Sequence, residues 1–163
     1  MTGAAPRIGI FGSAFDPPHN AHVALVKAAL EQLALDRLLI FPTGQAWHKA
    51  RVLSEPAHRL AMARLAFEGM DRVEVDAREM QRAGPTYTVD TLTEVQAESP
   101  GAQLFLIVGG DQAAALPSWH RWREILETAI ISIASRDPST LGSGQKSLKF
   151  RLKHPPCRPD AGG

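Results

Sequence analysis

The segment GSAFDPPHNAH, residues 12–22, follows the apolar run RIGIF and ends with two histidines three residues apart, His19 and His22. A turn uses the glycine and prolines, but it has no need of two imidazoles where a helix is about to begin. Three readings account for them. As zinc ligands they require further partners, and no third ligand is obvious in the chain. As structural residues, His19 packs a turn and His22 caps its helix. As a phosphate site, both rings stand at the amino end of a helix whose N–H groups and dipole favour an anion, and Gly12 lets the main chain come close. A neutral imidazole donates one hydrogen bond to a phosphate oxygen and adds charge when protonated. The phosphate reading explains both histidines and the glycine together. The usual phosphate fingerprints are absent: residues 12–22 do not carry G-x-G-x-x-G, and GSGQKS at 142–147 lacks the glycine before its lysine and reads as a polar linker.

These residues need elements to position them. Arg7 to Phe11 reads as a strand, and from Asn20, an acceptable cap, Leu25, Val26, Ala29, Leu30 and Leu33 recur at helical spacing. RLLIFP is a short apolar run stopped by Pro42. Ser54 is expected to cap a helix carrying Pro56 in its first turn, then Leu60, Ala63 and Phe67, ending at Gly69. RVEV is a weaker strand, Thr88 opens a helix with Val89, Leu92 and Val95, and QLFLIVGG is a strong strand. WHRWREILE reads as a helix and AIISIAS as the last strand. Five strand–helix alternations predict an α/β fold: a doubly wound, Rossmann-like parallel sheet of five strands with helices on both faces. In such a sheet ligands gather at the carboxyl ends of the strands, where residues 12–22 begin.

The chain has 163 residues, 44% hydrophobic and 21% charged, which suits one ordinary globular domain. Its net charge of +1 disfavours a nucleic-acid partner held on a basic face and favours a small phosphate compound held locally. Cys157 is the single cysteine, so no internal disulfide forms. The amino-terminal MTGAAPR lacks the layout of a signal peptide, and no apolar stretch approaches the roughly 20 residues that span a bilayer. No membrane partner and a cytoplasmic location are expected. The sequence leaves a homo-oligomer open.

The stretch GSAFDPPHNAH resembles the G-G-x-F-D-P-x-H-x-G-H signature of the HxGH nucleotidyltransferases, with Ser13 and Ala21 in place of glycines. FPTGQAWHK, GPTYTVDTL and LPSWHRW are similar to the corresponding segments of the bacterial nicotinate mononucleotide adenylyltransferases, and the likeness runs in order from Arg7 to about Arg136. The resemblance implies adenylyl transfer from ATP to nicotinate mononucleotide in NAD biosynthesis, with Mg²⁺ accompanying the ATP. It implies that His19 and His22 hold the ATP phosphates near the transition state, assisted by Gly12, Ser13 and Phe15 of the loop, with Lys49 as a phosphate clamp and Asp111 accepting ribose hydroxyls. Read alone, Lys49 is a solvated lysine and Asp111 a helix cap. The resemblance places Trp119 against the pyridine ring and Tyr87, Thr88 and His120 around it, where main-chain N–H groups read the carboxylate. Without it, Trp119 and Trp122 at helical spacing read as core; we assign Trp119 to the site and Trp122 to the core.

The resemblance fails at the carboxyl end. The family continues into an I-S-x-T-x-I-R segment that grips the triphosphate, and residues 136–163 contain none. This stretch is rich in Gly, Pro and basic residues, so 1–136 is expected to be the nucleotidyltransferase domain and 137–163 an irregular tail. Its cations Lys146, Lys149 and Arg151 are not expected to order over the site. A divergent short form, a truncated one or a shifted reading frame would each give such an end. Three functional readings therefore stand: a working pyridine-nucleotide adenylyltransferase, a nucleotide-binding remnant with little turnover, and another adenylyltransferase of the superfamily such as phosphopantetheine adenylyltransferase.

Overall fold

A computed structural model describes residues 5–13, 15, 18, 20–43, 55–81, 87–136 and 148–153. Strand β1 (Arg7–Ser13) leads into helix α1 (Asn20–Gln32), then β2 (Arg37–Pro42), α2 (Pro56–Phe67), β3 (Val73–Val75) and a short α3 (Arg78–Gln81). Helix α4 (Thr88–Glu98), β4 (Gln103–Gly109), α5 (Gly110–Ala115), a 3-10 turn (Leu116–Ser118), α6 (Trp122–Thr128), β5 (Ala129–Arg136) and β6 (Leu148–Lys153) complete the order. Among the described residues the sheet has six strands in the order β3-β2-β1-β4-β5-β6. The first five are parallel, with Ile8 beside Arg37 and Leu104, and β6 is antiparallel to β5. The chain steps outward from β1 to β2 and β3, then returns to the other side of β1 with β4. That reversal, between β1 and β4, is the topological switch point.

Both sheet faces are buried, as a parallel sheet requires. Side chains alternate across each strand, so Ile8, Ile10, Leu104 and Leu106 face α4 and α6, while Phe11, Phe105, Ile107 and Leu38 face α1 and α2. Gly9 is required by packing: a Cβ there would meet Leu35 Cδ1 at 2.5 Å, so the turn after α1 closes directly on the strand. Helix α2 begins at Pro56 with Glu55 at its cap position, and Ser54, the expected cap, lies outside the described residues. Its buried stripe is Arg59, Ala63 and Phe67, whereas Leu60, counted on the apolar face, is half-buried. The Arg59 guanidinium donates to the Thr43 carbonyl at 2.5 Å, tying α2 to the carboxyl end of β2. Among the described residues no helix is long and apolar enough to cross a membrane.

The sixth strand corrects the expectation of a five-stranded, wholly parallel sheet and, at Leu148–Lys153 alone, that of an irregular tail; residues 137–147 and 154–163 lie outside the described residues. LKFRLK alternates apolar and basic residues with a period of two. Phe150 and Leu152 pack onto the α1 face of the core, and β5 supplies a complete row of partners from Arg136 beside Leu148 to Ile131 beside Lys153. Burial of that apolar pair supplies the driving force that a purely polar tail would lack.

Two outcomes follow from this packing. Replacing Phe150 and Leu152 together by serine should destabilise the protein by about 2–4 kcal/mol through lost apolar burial, lowering the melting temperature by roughly 5–15 °C. An unchanged melt by circular dichroism would show that β6 does not hold the sheet. Arg59→Met should cost about 1 kcal/mol in urea unfolding, because it strips the half-buried Thr43 carbonyl of the Arg59 donor. Arg59→Lys should recover only part of that loss, since a point charge does not reproduce the planar fork. A midpoint unchanged in Arg59→Met would contradict the assignment.

Candidate active site

The carboxyl edge of β1 and β4 carries the first half of the site. Ser13 ends β1, and its carbonyl accepts the Thr43 N–H at 3.0 Å, which locks the β1 and β2 ends together. Among the described residues, a Cβ on Gly12 would meet only the Phe41 carbonyl oxygen, at 3.5 Å, an ordinary contact. Phe15 sits at φ 49°, an uncommon conformation for a bulky residue. Its buried ring holds the chain there, edge-on to Phe11 at 5.5 Å and to Phe67 at 5.6 Å. Any contact of Phe15 with a nucleotide thus falls to its main chain.

His22 stands in the first turn of α1, half-buried, with its ring 5.0 Å from that of Phe15 and 6.0 Å from that of Phe11. The aromatic contacts hold the imidazole inside the first turn, so His22 packs on the loop and is a helical residue rather than the cap of α1. Helix α1 has thirteen residues and no acidic side chain in its first turn, so nothing there offsets the positive end of its dipole. His19 and Lys49 lie outside the described residues. Among the described residues no group of three or more His, Cys, Asp or Glu side chains is arranged to hold a metal ion.

Asp111 is exposed in the first turn of α5, directly after β4 and thus beside the switch point. The helix-cap reading of Asp111 is corrected: Gly109 is the cap residue, and its N–H donates to Gln112 Oε1 at 3.2 Å. Asp111 projects from the turn beyond it.

The second half of the site is aromatic. Helix α4 starts after β3 and α6 starts after β4, so both amino ends lie at the carboxyl edge of the sheet. There the rings of Tyr87 and His120 stack, with centroids 4.1 Å apart and planes inclined by 28°. Tyr87 occupies the cap position of α4 and makes no side-chain cap bond, and Thr88 is the first, half-buried helical residue. Trp119 is half-buried and packs on the core beneath the same edge. The assignment of Trp122 to the core is corrected. Arg121 adopts a left-handed conformation (φ 54°) that starts α6 only at Trp122, so the two tryptophans do not share a helix. Trp122 is half-buried, lies outside both core clusters and carries the Arg123 guanidinium 5.3 Å above its ring.

Buried polar residues that motif reading passed over hold this half in place. Thr91, fully buried on α4, donates its hydroxyl to Glu79 Oε2 on α3 at 2.7 Å. Arg78 bonds Asp76 and Glu98 at 2.9 and 2.8 Å and lies 3.6 Å from Glu94, an ion-pair distance beyond hydrogen bonding. Its hydrogen bonds to the Asp76 carboxylate, then to that of Glu98, hold the Arg78 guanidinium above its ordinary range, so it stays charged at every working pH. The guanidinium also lies 5.7 Å from the Phe41 ring centroid, joining α4 to the end of β2. Helical spacing offered one usable signal: Arg59 shares a stripe with Ala63 and Phe67.

Comparison with known proteins places this geometry in a family. The cytidylyltransferase-like family model matches residues 10–159. A protein of Albidiferax ferrireducens named probable nicotinate-nucleotide adenylyltransferase is 63% identical over 140 residues, which cover 86% of this chain and 70% of that protein. One of the same name from Methylibium petroleiphilum is 44% identical over 131 residues, covering 80% of this chain and 62% of its own length. The chain thus spans between 62% and 70% of the length of these two relatives. The Plasmodium falciparum nicotinic acid mononucleotide adenylyltransferase complexed with NaAD shares the fold with a TM-score of 0.67 at 18% identity, over 78% of this chain and 63% of that one. The family-model match over residues 10–159 and the 63% identity over 86% of this chain establish that the chain belongs to the nicotinate-nucleotide adenylyltransferase family of cytidylyltransferase-like enzymes.

Proposed function

We propose that this chain transfers the adenylyl group of ATP to nicotinate mononucleotide, forming nicotinate adenine dinucleotide and pyrophosphate. The observation that supports the reading is the gathering, at one sheet edge, of His22 in the first turn of α1 and the Tyr87–His120 stack next to Trp119 in the chain. A phosphate oxygen of the mononucleotide attacks the α-phosphorus of ATP; that P–O bond forms as the bond to the β-phosphate oxygen breaks, and pyrophosphate leaves. No covalent enzyme intermediate is needed, so positioning and charge stabilisation supply the catalysis.

In this reading His22, with His19, donates to phosphate oxygens as charge builds on them. Gly12, Ser13 and the Phe15 main chain shape the cradle, and Lys49 neutralises a phosphate. Asp111 accepts from ribose hydroxyls. Enzymes of this kind use a divalent metal ion with ATP; Mg²⁺ is the ion proposed here, entering as part of the nucleotide substrate. Trp119 offers a face to the pyridine ring, and the first N–H groups of α4 with His120 receive its carboxylate. The absence of I-S-x-T-x-I-R after Arg136 favours a second reading, a nucleotide-binding remnant, which predicts mononucleotide binding without turnover.

Adenylyl transfer measured with ATP, Mg²⁺ and nicotinate mononucleotide separates the two. His22→Ala should lower kcat/KM by about 100-fold or more, as expected for a group that acts on the transition state, while the thermal melt shifts little. Undiminished pyrophosphate release would remove His22 from the mechanism. Main-chain donors should also prefer nicotinate to nicotinamide mononucleotide, because an amide NH₂ leaves an N–H donor unpaired. Equal kcat/KM for the two would disprove the carboxylate subsite.

A further inference from the structure

We infer that Glu79 and Thr91 form a positioning pair for the mononucleotide half of the site, acting through Tyr87. The inference rests on the proposed adenylyl transfer for its kinetic consequence, while its structural consequence stands alone. Thr91 is fully buried and Glu79 is 8% exposed, so neither side chain can touch a substrate at the sheet edge. Both are linked to it by short paths. The Thr91 N–H donates to the Tyr87 carbonyl at 3.4 Å, closing the first turn of α4, and the Thr91 hydroxyl donates to Glu79 Oε2 at 2.7 Å.

Glu79 is itself fixed from outside the turn. Its neighbour Arg78 binds Asp76, which follows β3, and Glu98 at the far end of α4. Helix α3 is therefore pinned to the sheet edge and to α4, and the Thr91–Glu79 bond transfers that anchorage to the turn beginning with Tyr87. Tyr87 makes no side-chain cap bond of its own and is 38% exposed as a residue, its ring held on one side by His120. A residue so exposed needs its main chain held if the stack is to keep one geometry. A buried hydroxyl–carboxylate bond does this at low entropy cost, because β-branched threonine has few rotamers to lose.

The test compares Thr91→Val, which keeps shape and removes the donor, with Thr91→Ser, which keeps the donor. Thr91→Val should raise KM for nicotinate mononucleotide about 10-fold, as outer-layer hydrogen-bond partners do at other sites, with KM for ATP and kcat within about twofold of the parent. Thr91→Ser should restore KM. In NMR spectra the His120 imidazole C–H resonances, assigned with His120→Ala and shifted upfield by the Tyr87 ring, should move downfield in Thr91→Val and return in Thr91→Ser. If Thr91→Val does not fold, Glu79→Met should reproduce both changes. Parental KM and parental His120 resonances in the variant lacking the bond would overturn the inference. So would KM for ATP rising in step with that for the mononucleotide, since the pair would then act on the whole fold. A parent protein without turnover would refute the proposed function, and the His120 resonances would still decide the positioning role.

Discussion

A parallel pair of strands cannot be joined by a hairpin, and everything in this molecule follows from that constraint. Each crossover must carry the chain back over a sheet face, which buries both faces and returns every strand in the same direction. All carboxyl ends of β1 to β5 thus open on one edge. A reversal such as that between β1 and β4 opens a crevice at the carboxyl ends of the two strands in folds of this class. His22 on α1 and Asp111 on α5 stand at those ends because their helices begin where the two strands stop. The aromatic half stands at the same edge because α4 and α6 begin there too.

The edge is made rigid by polar bonds buried beneath it. Apolar packing sets how helices lie on the sheet, but it is non-directional and leaves the height of a loop undetermined. Arg59 bonds the carbonyl of Thr43, Ser13 accepts from Thr43, and Thr91 bonds Glu79. Each bond joins a helix or strand to the residue where a strand ends or a helix starts. Each has a defined direction, and the Thr91–Glu79 bond, buried in a low dielectric, is also costly to break. Phe15 works similarly by different means, since its ring in the core holds a main-chain conformation that the loop would not adopt unaided.

The two helix starts at the edge differ in a way that matches their proposed ligands. Helix α1 has no acidic residue in its first turn, whereas α4 has Asp90 there. In the proposed reading the more highly charged triphosphate lies at the helix start with no acidic first-turn residue, and the single carboxylate of a pyridine nucleotide at the start that has one. Beyond β5 the sheet continues into β6, whose Lys149, Arg151 and Lys153 are exposed along an outer strand. Among the described residues β6 is an edge strand, and its charged side chains discourage further strand addition.

Local spacing was enough to read β1 to β5, α1, α2 and α4 from the chain, because period two and period 3.6 are set by backbone geometry within a few residues. The resemblance in GSAFDPPHNAH, GPTYTVDTL and LPSWHRW brought the family and named His22, Asp111, Tyr87, Thr88, Trp119 and His120; the structure sets these on one edge. The fate of particular side chains was decided only in three dimensions. Arg59 and Thr91 are buried because of what lies across from them, Trp122 leaves the core because Arg121 turns left-handed, and LKFRLK becomes a strand because β5 offers it an edge and α1 an apolar face. Burial and strand pairing join residues distant in sequence, and a spacing rule that spans one turn or one strand carries no information about the partner on the other side.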